Sequence, residues 1–340
     1  MNTQDKSVIV WLLTGCLLIF LMVVIGGITR LTNSGLSMVD WKLIMGMIPP
    51  LNEQEWMETF EKYKQFPEYQ QVNFTFTLSE FKSIFFWEYL HRLIGRLIGL
   101  VFVIPFVYFL IQKKLSKKLI VQCLILLGMG AFQGFLGWWM VKSGLVKDPD
   151  VSHYRLAIHL ITAFITFAYT LWVALGLIYK EENKNDLRRL RNLSLLLLGV
   201  VVVQIVYGAF VAGLNAGFVM NTWPKMGNQW INDSVVAMQP IWVNFIDGIG
   251  GVQFVHRYIA YVVVVIVLYL LLISVNYPIN QIQRKSLIAL VVVVFTQFLL
   301  GIFTLLYSVP LLLGVLHQIG AFLLLGVTVF TLFQFRNQTE

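Results

Sequence analysis

The chain alternates between long apolar runs and shorter polar connections. Runs of roughly 20 apolar residues, the length at which a helix crosses a hydrocarbon layer of about 30 Å, lie near 8–28, 91–111, 119–140, 157–179, 193–213, 255–275, 286–307 and 312–333. A backbone in hydrocarbon must satisfy its own hydrogen bonds, so these eight runs are predicted to be transmembrane helices. The first run follows Lys6, and no small-residue cleavage site follows Gly26 and Gly27 cleanly, so it reads as a retained helix and not as a signal peptide. Basic residues cluster in three connections: Lys113, Lys114, Lys117 and Lys118; Lys180, Lys184, Arg188, Arg189 and Arg191; Arg284 and Lys285. The positive-inside rule puts these loops and both termini on the cytoplasmic side. The longer connections, 29–90, 141–156 and 214–254, then face outward.

Composition agrees with this pattern. Of 340 residues, 58% are hydrophobic and 12% charged, which makes the chain a polytopic membrane protein whose constant partner is the lipid bilayer. The net charge of +8 resides in the short loops, so no nucleic-acid partner is expected. Cys16 and Cys123 both fall inside apolar runs, which excludes a loop disulfide and makes both core residues.

The second half repeats the first. His91-Arg92-Leu93-Ile94 matches His256-Arg257-Tyr258-Ile259, and His159-Leu160-Ile161-Thr162-Ala163-Phe164 matches His317-Gln318-Ile319-Gly320-Ala321-Phe322. Gln133 and Gly137 correspond to Gln297 and Gly301 at one offset, while Asn33, Gly35 and Trp41 correspond to Asn215, Gly217 and Trp223 at another. Ordered matches in all four helix pairs imply a duplicated four-helix unit. Because four is even, the copies have the same orientation in the membrane. The expected fold is all-α, eight transmembrane helices forming two tandem parallel-repeat four-helix bundles, 1–185 and 186–340.

Four of the five histidines occupy equivalent places in this repeat. The topology puts all four near the outer surface, each within the first few residues of its helix, with His317 slightly deeper. An imidazole in hydrocarbon is costly unless it is paired or bound. A lone one is often satisfied by a backbone carbonyl, but four at duplicated positions argue for two buried sites. Zinc or copper would want three or four clustered protein ligands, whereas each half offers two repeated histidines. Two axial imidazoles on facing helices suit heme iron, whose other four ligands come from the porphyrin. His153 has no counterpart and falls in an outward loop, as a surface residue.

The halves differ three residues before the first histidine of each pair: Glu88 in one, Gln253 in the other. Residues three apart share a helix face, so Glu88 is expected to face the same cavity as His91. The asymmetry suggests chemistry at the first site and electron carriage at the second. Two structural alternatives for Glu88 are an ion pair with Arg92 or Arg96 and a favourable place at a helix start. Arg30, Arg92, Arg96, Arg155 and Arg257 are candidate partners for heme propionates, Arg92 and Arg257 foremost because they repeat. The connection from Gly27 to His91 spans 64 residues, against 48 from Gly208 to His256. Its extra length is either a cover for a substrate site or an interfacial segment without a catalytic part.

Several motifs carry a resemblance. Gly26-Gly27-Ile28-Thr29-Arg30-Leu31-Thr32-Asn33-Ser34-Gly35-Leu36-Ser37-Met38, Trp41, Pro49-Pro50, Glu80-Phe81-Lys82, Trp87-Glu88-Tyr89-Leu90-His91-Arg92, Ala212-Gly213-Leu214-Asn215-Ala216-Gly217 and Asn221-Thr222-Trp223-Pro224 together resemble heme A synthases of the proteobacterial and mitochondrial type, over nearly the whole chain. The resemblance implies a cytochrome oxidase assembly role in the cell inner (plasma) membrane. It implies heme O as substrate at His91 and His159, heme B as cofactor at His256 and His317, and Glu88 as the catalytic carboxylate. The implied reaction oxidises a porphyrin methyl group to a formyl group through successive hydroxylations and loss of water. Some bacterial members carry a cysteine pair in outward loops; this chain does not. A heme O synthase and an electron partner are implied as neighbours, and a homo-oligomer is left open. The rival readings are a diheme b-type membrane cytochrome that exchanges electrons with a quinone, and a heme carrier without chemistry.

Overall fold

A computed structural model describes residues 3–39, 48–146, 149–179 and 187–336. Trp41, Lys180 and Lys184 lie outside the described residues. Among the described residues there are ten α-helices and no strand: α1 (Thr3–Leu31), α2 (Glu53–Tyr63), α3 (Pro67–Gln71), α4 (Leu78–Ile111), α5 (Lys117–Gly144), α6 (His153–Ile178), α7 (Arg188–Gly213), α8 (Ile249–Ser274), α9 (Gln281–Leu306) and α10 (Leu311–Gln334). All but α2 and α3 are long and apolar enough to cross a membrane, so the eight expected spans are present. Cys16 and Cys123 are buried free thiols, as their apolar setting implied.

The chain divides into two compact units, Leu17–Ala163 on one side and Met1–Cys16 with Phe164–Glu340 on the other. The division passes within α1 and α6. In the second unit Phe164 and Phe167 pack on Phe322, with ring centroids 5.3 and 4.0 Å away.

The largest departure from the hydrophobic pattern is in α4, which begins at Leu78, not near residue 91. Polar Glu80, Lys82 and Glu88 break the apolar run in sequence, but the helix starts on a capping box in which Thr77 and Glu80 satisfy each other's backbone donors. The extension buries one face. Phe81, Ile84 and Phe85 join Met38, Phe60 and Tyr63 in an aromatic core beneath α2. His91 is therefore the fourteenth residue of its helix, about 20 Å of rise from its start, whereas His159, His256 and His317 are seventh, eighth and seventh in theirs. The expectation of four similar helix-start positions, with His317 deepest, is corrected accordingly. His153 opens α6 rather than lying in a loop, with its ring 4.0 Å from that of Tyr154.

The long first connection is thus a folded cap. Within it Tyr63 Oη donates to Glu68 Oε2 (2.9 Å) and accepts from Asn73 Nδ2 (2.8 Å). Burial pushes the Glu68 carboxyl up to about 8, with Glu88 and Asp150 acting in the same direction against the lowering by Tyr63. Burial beside Glu68 also holds the Tyr63 phenol above its ordinary range. The folded cap keeps Glu68 protonated where the unfolded chain ionises it. The unfolded state then releases a proton first, and stability falls as pH rises from about 4.5 to about 8. Glu68→Gln keeps an acceptor for Tyr63 and removes the ionisation. Its thermal unfolding in detergent should be less dependent on pH than wild type across that window, by on the order of a few kcal/mol; parallel profiles refute the assignment.

Candidate functional site

Glu88 is 3% exposed and every oxygen is engaged. Oε2 accepts from Ser37 Oγ and from the Met38 backbone N–H, both at 2.7 Å, while Oε1 pairs with Arg92 Nη2 at 2.5 Å. Arg92 Nη2 also donates to the Met38 carbonyl at 2.8 Å. The segment after α1 reaches this position because Asn33 takes a left-handed turn (φ 49°), which asparagine tolerates well, and the Ser34 N–H returns to the Thr29 carbonyl. The ion pair with Arg92 is present, and Glu88 lies eleven residues into α4, beyond the reach of a helix-start effect.

The second half builds the same strap with opposite hydrogen-bond polarity. After α7, Asn215 makes the equivalent left-handed turn (φ 53°). Gln253, 2% exposed, donates Nε2–H to the carbonyls of Ala216 (2.8 Å) and Val219 (2.7 Å), and its Oε1 accepts from Arg257 at 3.1 Å. Arg257 also donates to the carbonyls of Met220, Thr222 and Lys225. Ser37 corresponds to Val219 at the same offset that relates Asn33 to Asn215. The half with a carboxylate has a hydroxyl to donate to it; the half with an amide has neither. Arg257 thus spends much of its donor capacity on backbone carbonyls and Arg92 a smaller part, and Arg257 Nε is buried with no hydrogen-bond partner.

All four repeated imidazoles rest on glycines. A Cβ on Gly26 would stand 3.1 Å from His91 Nε2, on Gly137 3.3 Å from His159 Cε1, on Gly208 3.2 Å from His256 Cε1, and on Gly301 2.9 Å from His317 Cε1. Each glycine lets a flat ring lie against the neighbouring helix. The rings of His256 and His317 approach the backbone carbonyls of Gln204 and Gln297, one turn before their glycines. The Nδ1 atoms of His159, His256 and His317 are buried without a fully aligned hydrogen bond. A carbonyl beside Nδ1 favours the tautomer that leaves Nε2 free as a ligand.

The rings of His256 and His317 have centroids 6.4 Å apart and planes at 86°. With a ligating nitrogen about 2.0–2.1 Å from a metal and roughly 1.1 Å from its ring centre, two imidazoles on opposite sides of one ion have centroids about 6.3 Å apart. The residues present fit an axially ligated iron. His91 and His159 lie within electrostatic range of each other. Among the described residues no three His, Cys, Asp or Glu side chains gather into a metal cluster.

The family model for the cytochrome oxidase assembly protein family COX15-CtaA matches residues 9–329. The chain belongs to this family. Among its COX15-CtaA relatives, a protein of Flavobacterium psychrophilum named heme A synthase is 58% identical over 98% of this chain and 99% of its own length. One of the same name from Flavobacterium johnsoniae is 57% identical over 98% of both. A third, from Nitrosospira multiformis, is 44% identical over 98% of this chain and 95% of its own.

Glu88, the four histidines and both arginines carry a signal in the sequence of this COX15-CtaA chain, and the fold sets three further groups beside them. These are the four seat glycines, the Ser37 hydroxyl, and Gln204, whose Nε2 donates to the His256 carbonyl at 3.0 Å. A signal for two of them was available: Gln-x-x-x-Gly occurs at Gln133–Gly137, Gln204–Gly208 and Gln297–Gly301, always one repeat helix before a histidine. Ser37 carried none, because only the fold brings it to Glu88.

Proposed function

We propose that this chain is a heme A synthase, an oxidoreductase that converts a methyl group of heme O to the formyl group of heme A. The first half, 1–185, receives heme O between His91 and His159, and the second half, 186–340, holds heme B between His256 and His317. The observation that carries the reading is the buried carboxylate of Glu88 in one half, against the amide of Gln253 on the matching strap of the other. The names of relatives at 57–58% identity support it.

Heme B, when bound, would supply one-electron redox capacity. The chain's own residues do the rest. Glu88 is the group able to hold or release a proton one helical turn from His91, and its ionised form is matched by the Ser37 hydroxyl, the Met38 N–H and Arg92. The cap of α2 and α3 packs through Met38 onto the strap that holds Glu88, and it excludes water from that carboxylate. Arg92 and Arg257 act first as ties between strap and helix, and their remaining N–H groups are the candidates for propionates. The protein resides in the cell inner membrane with both termini cytoplasmic and both heme sites near the outer face, supplied by a heme O synthase in the same bilayer and served by an electron partner.

Extraction and chromatography of the pigments from purified protein test this reading. Heme O or heme A beside heme B is the expected result. Heme B alone would instead establish a diheme b-type cytochrome exchanging electrons with a quinone.

A further inference from the structure

Three of the four imidazole seats have a glutamine four residues before the glycine, and the fourth does not. Gln204 stands four residues before Gly208 on α7 and donates to the backbone carbonyl of His256 at 3.0 Å. Gln133 stands four before Gly137 on α5, donates to the His159 carbonyl at 2.8 Å, and accepts from Thr162 Oγ1 at 3.0 Å. Gln297 stands four before Gly301 on α9, with its side chain packed over Gly320, in the turn that follows His317. Gln133 and Gln204 thus tie the helix that carries the glycine to the histidine's own turn, and Gln297 packs against the turn after His317 without such a bond. Such a bond in hydrocarbon restricts sliding and rotation of one helix on the other.

At His91 the corresponding position is Met22, four residues before Gly26 and related to Gln204 by the offset that relates Gly26 to Gly208. Met22 faces the same neighbour, since its Cε would lie 3.2 Å from a Cβ on Gly95, one turn beyond His91. It packs there but has no N–H to donate, and a thioether side chain adapts to shifts of its neighbour. The ring itself also differs. His159, His256 and His317 turn Cε1 to their glycines, whereas His91 turns its Nε2 and Cδ2 edge to Gly26.

We propose that His91 is the exchangeable axial ligand of the substrate heme, and that Met22 makes it so. Of the substrate pair only His159 is tied, and among the four histidines His91 alone combines the missing amide with the reversed ring edge. This inference rests on the assignment of heme O to the first half. A cofactor stays through every turnover, whereas a substrate heme must arrive and its product must leave, so one ligand of that site has to let go. A histidine without an interhelical tie and with a different ring edge on its glycine is the one built to do so. His159 then keeps the iron in place while His91 leaves and returns.

Two variants move the system in opposite directions. Met22→Gln installs the missing donor opposite the His91 carbonyl, and Gln133→Met removes the one at His159. In purified holoprotein, the low-spin six-coordinate fraction of the first-half heme, read by low-temperature EPR and visible spectra, should rise in Met22→Gln. Transfer of that heme to excess apomyoglobin should slow roughly three- to tenfold, the equilibrium weight of one net buried hydrogen bond. Gln133→Met should lower the low-spin fraction and speed transfer by a similar factor. Wild-type spin state and transfer rate in a folded Met22→Gln protein would overturn the proposal. So would a Gln133→Met protein that holds its heme as wild type does while His91→Ala abolishes binding altogether. Extracted pigment keeps the two levels apart: if no heme O or heme A accompanies heme B, the assignment of the first half has failed, and if it does while transfer is unchanged, only the role of Met22 has.

Discussion

Glu88→Gln is expected to leave heme bound and to reduce conversion of heme O to heme A by at least about 100-fold, the usual minimum for losing a group that transfers a proton in the transition state. The substitution copies the second half, but the surroundings of Gln253 show why it is not structurally silent. Gln253 faces two carbonyls, from Ala216 and Val219, and donates to both. Glu88 faces the Ser37 hydroxyl and the Met38 N–H, both donors. An amide whose oxygen stays on Arg92 turns its NH2 toward them. Ser37 can rotate to accept, but the Met38 N–H is left without an acceptor, at about 1–3 kcal/mol. A loss of activity through loosening of the strap is therefore distinguishable from a loss of chemistry. Ser37→Val added to Glu88→Gln reproduces the second-half side chains more fully. The double variant is expected to bind heme like wild type and to remain inactive. Restoration of heme A formation in either variant, measured by pigment chromatography, would remove Glu88 from the reaction.

The second large effect is expected at the seats of the imidazoles. A Cβ on Gly301 stands 2.9 Å from His317 Cε1, closer than carbon atoms pack, and the contact is the body of a ring, not the tip of a flexible chain. The ring has to leave its place opposite His256, or α9 and α10 have to separate. Gly301→Ala should lower heme B content severalfold, and Gly301→Leu should leave little or none by pyridine hemochrome assay. Gly208→Leu, 3.2 Å from His256, should act alike. The same helix supplies a control, because a Cβ on Gly199 meets nothing within 4 Å. Gly199→Ala should keep full heme content and gain slightly in helix propensity. If Gly199→Ala and Gly301→Leu retained heme B equally, the seats would have no part in holding it.

How far the sequence leads depends on the range of the interactions involved. The spans were legible because a helix in hydrocarbon announces itself by some 20 successive apolar residues, whatever its neighbours are. Even so, α4 began thirteen residues earlier than its apolar run. Phe81, Ile84 and Phe85 spread their apolar character over one face among charged neighbours, and only the cap of α2 reveals that this face is buried. The duplicated histidines and the Glu88 and Gln253 difference were legible because duplication supplies its own comparison. The polarity inversion around that difference was not, since Ser37 and Val219 meet their partners across 51 and 34 residues of chain. Glu68 escaped for the same reason: its neighbours Tyr63 and Asn73 are close in sequence, but its burial comes from the cap as a whole.

The sequence by itself determined that this is an eight-span membrane protein, that four histidines occur as two equivalent pairs, and that a single acid separates the halves. Those properties follow from composition and spacing, which a linear chain carries. Only the tertiary structure decided that Glu88 is held by a hydroxyl, an N–H and a guanidinium, that each imidazole lies on a glycine, and that His91 lacks the amide tie that His159 and His256 have. These depend on which side chains meet across helices, where a hydrogen bond or a missing methyl group acts only at contact distance.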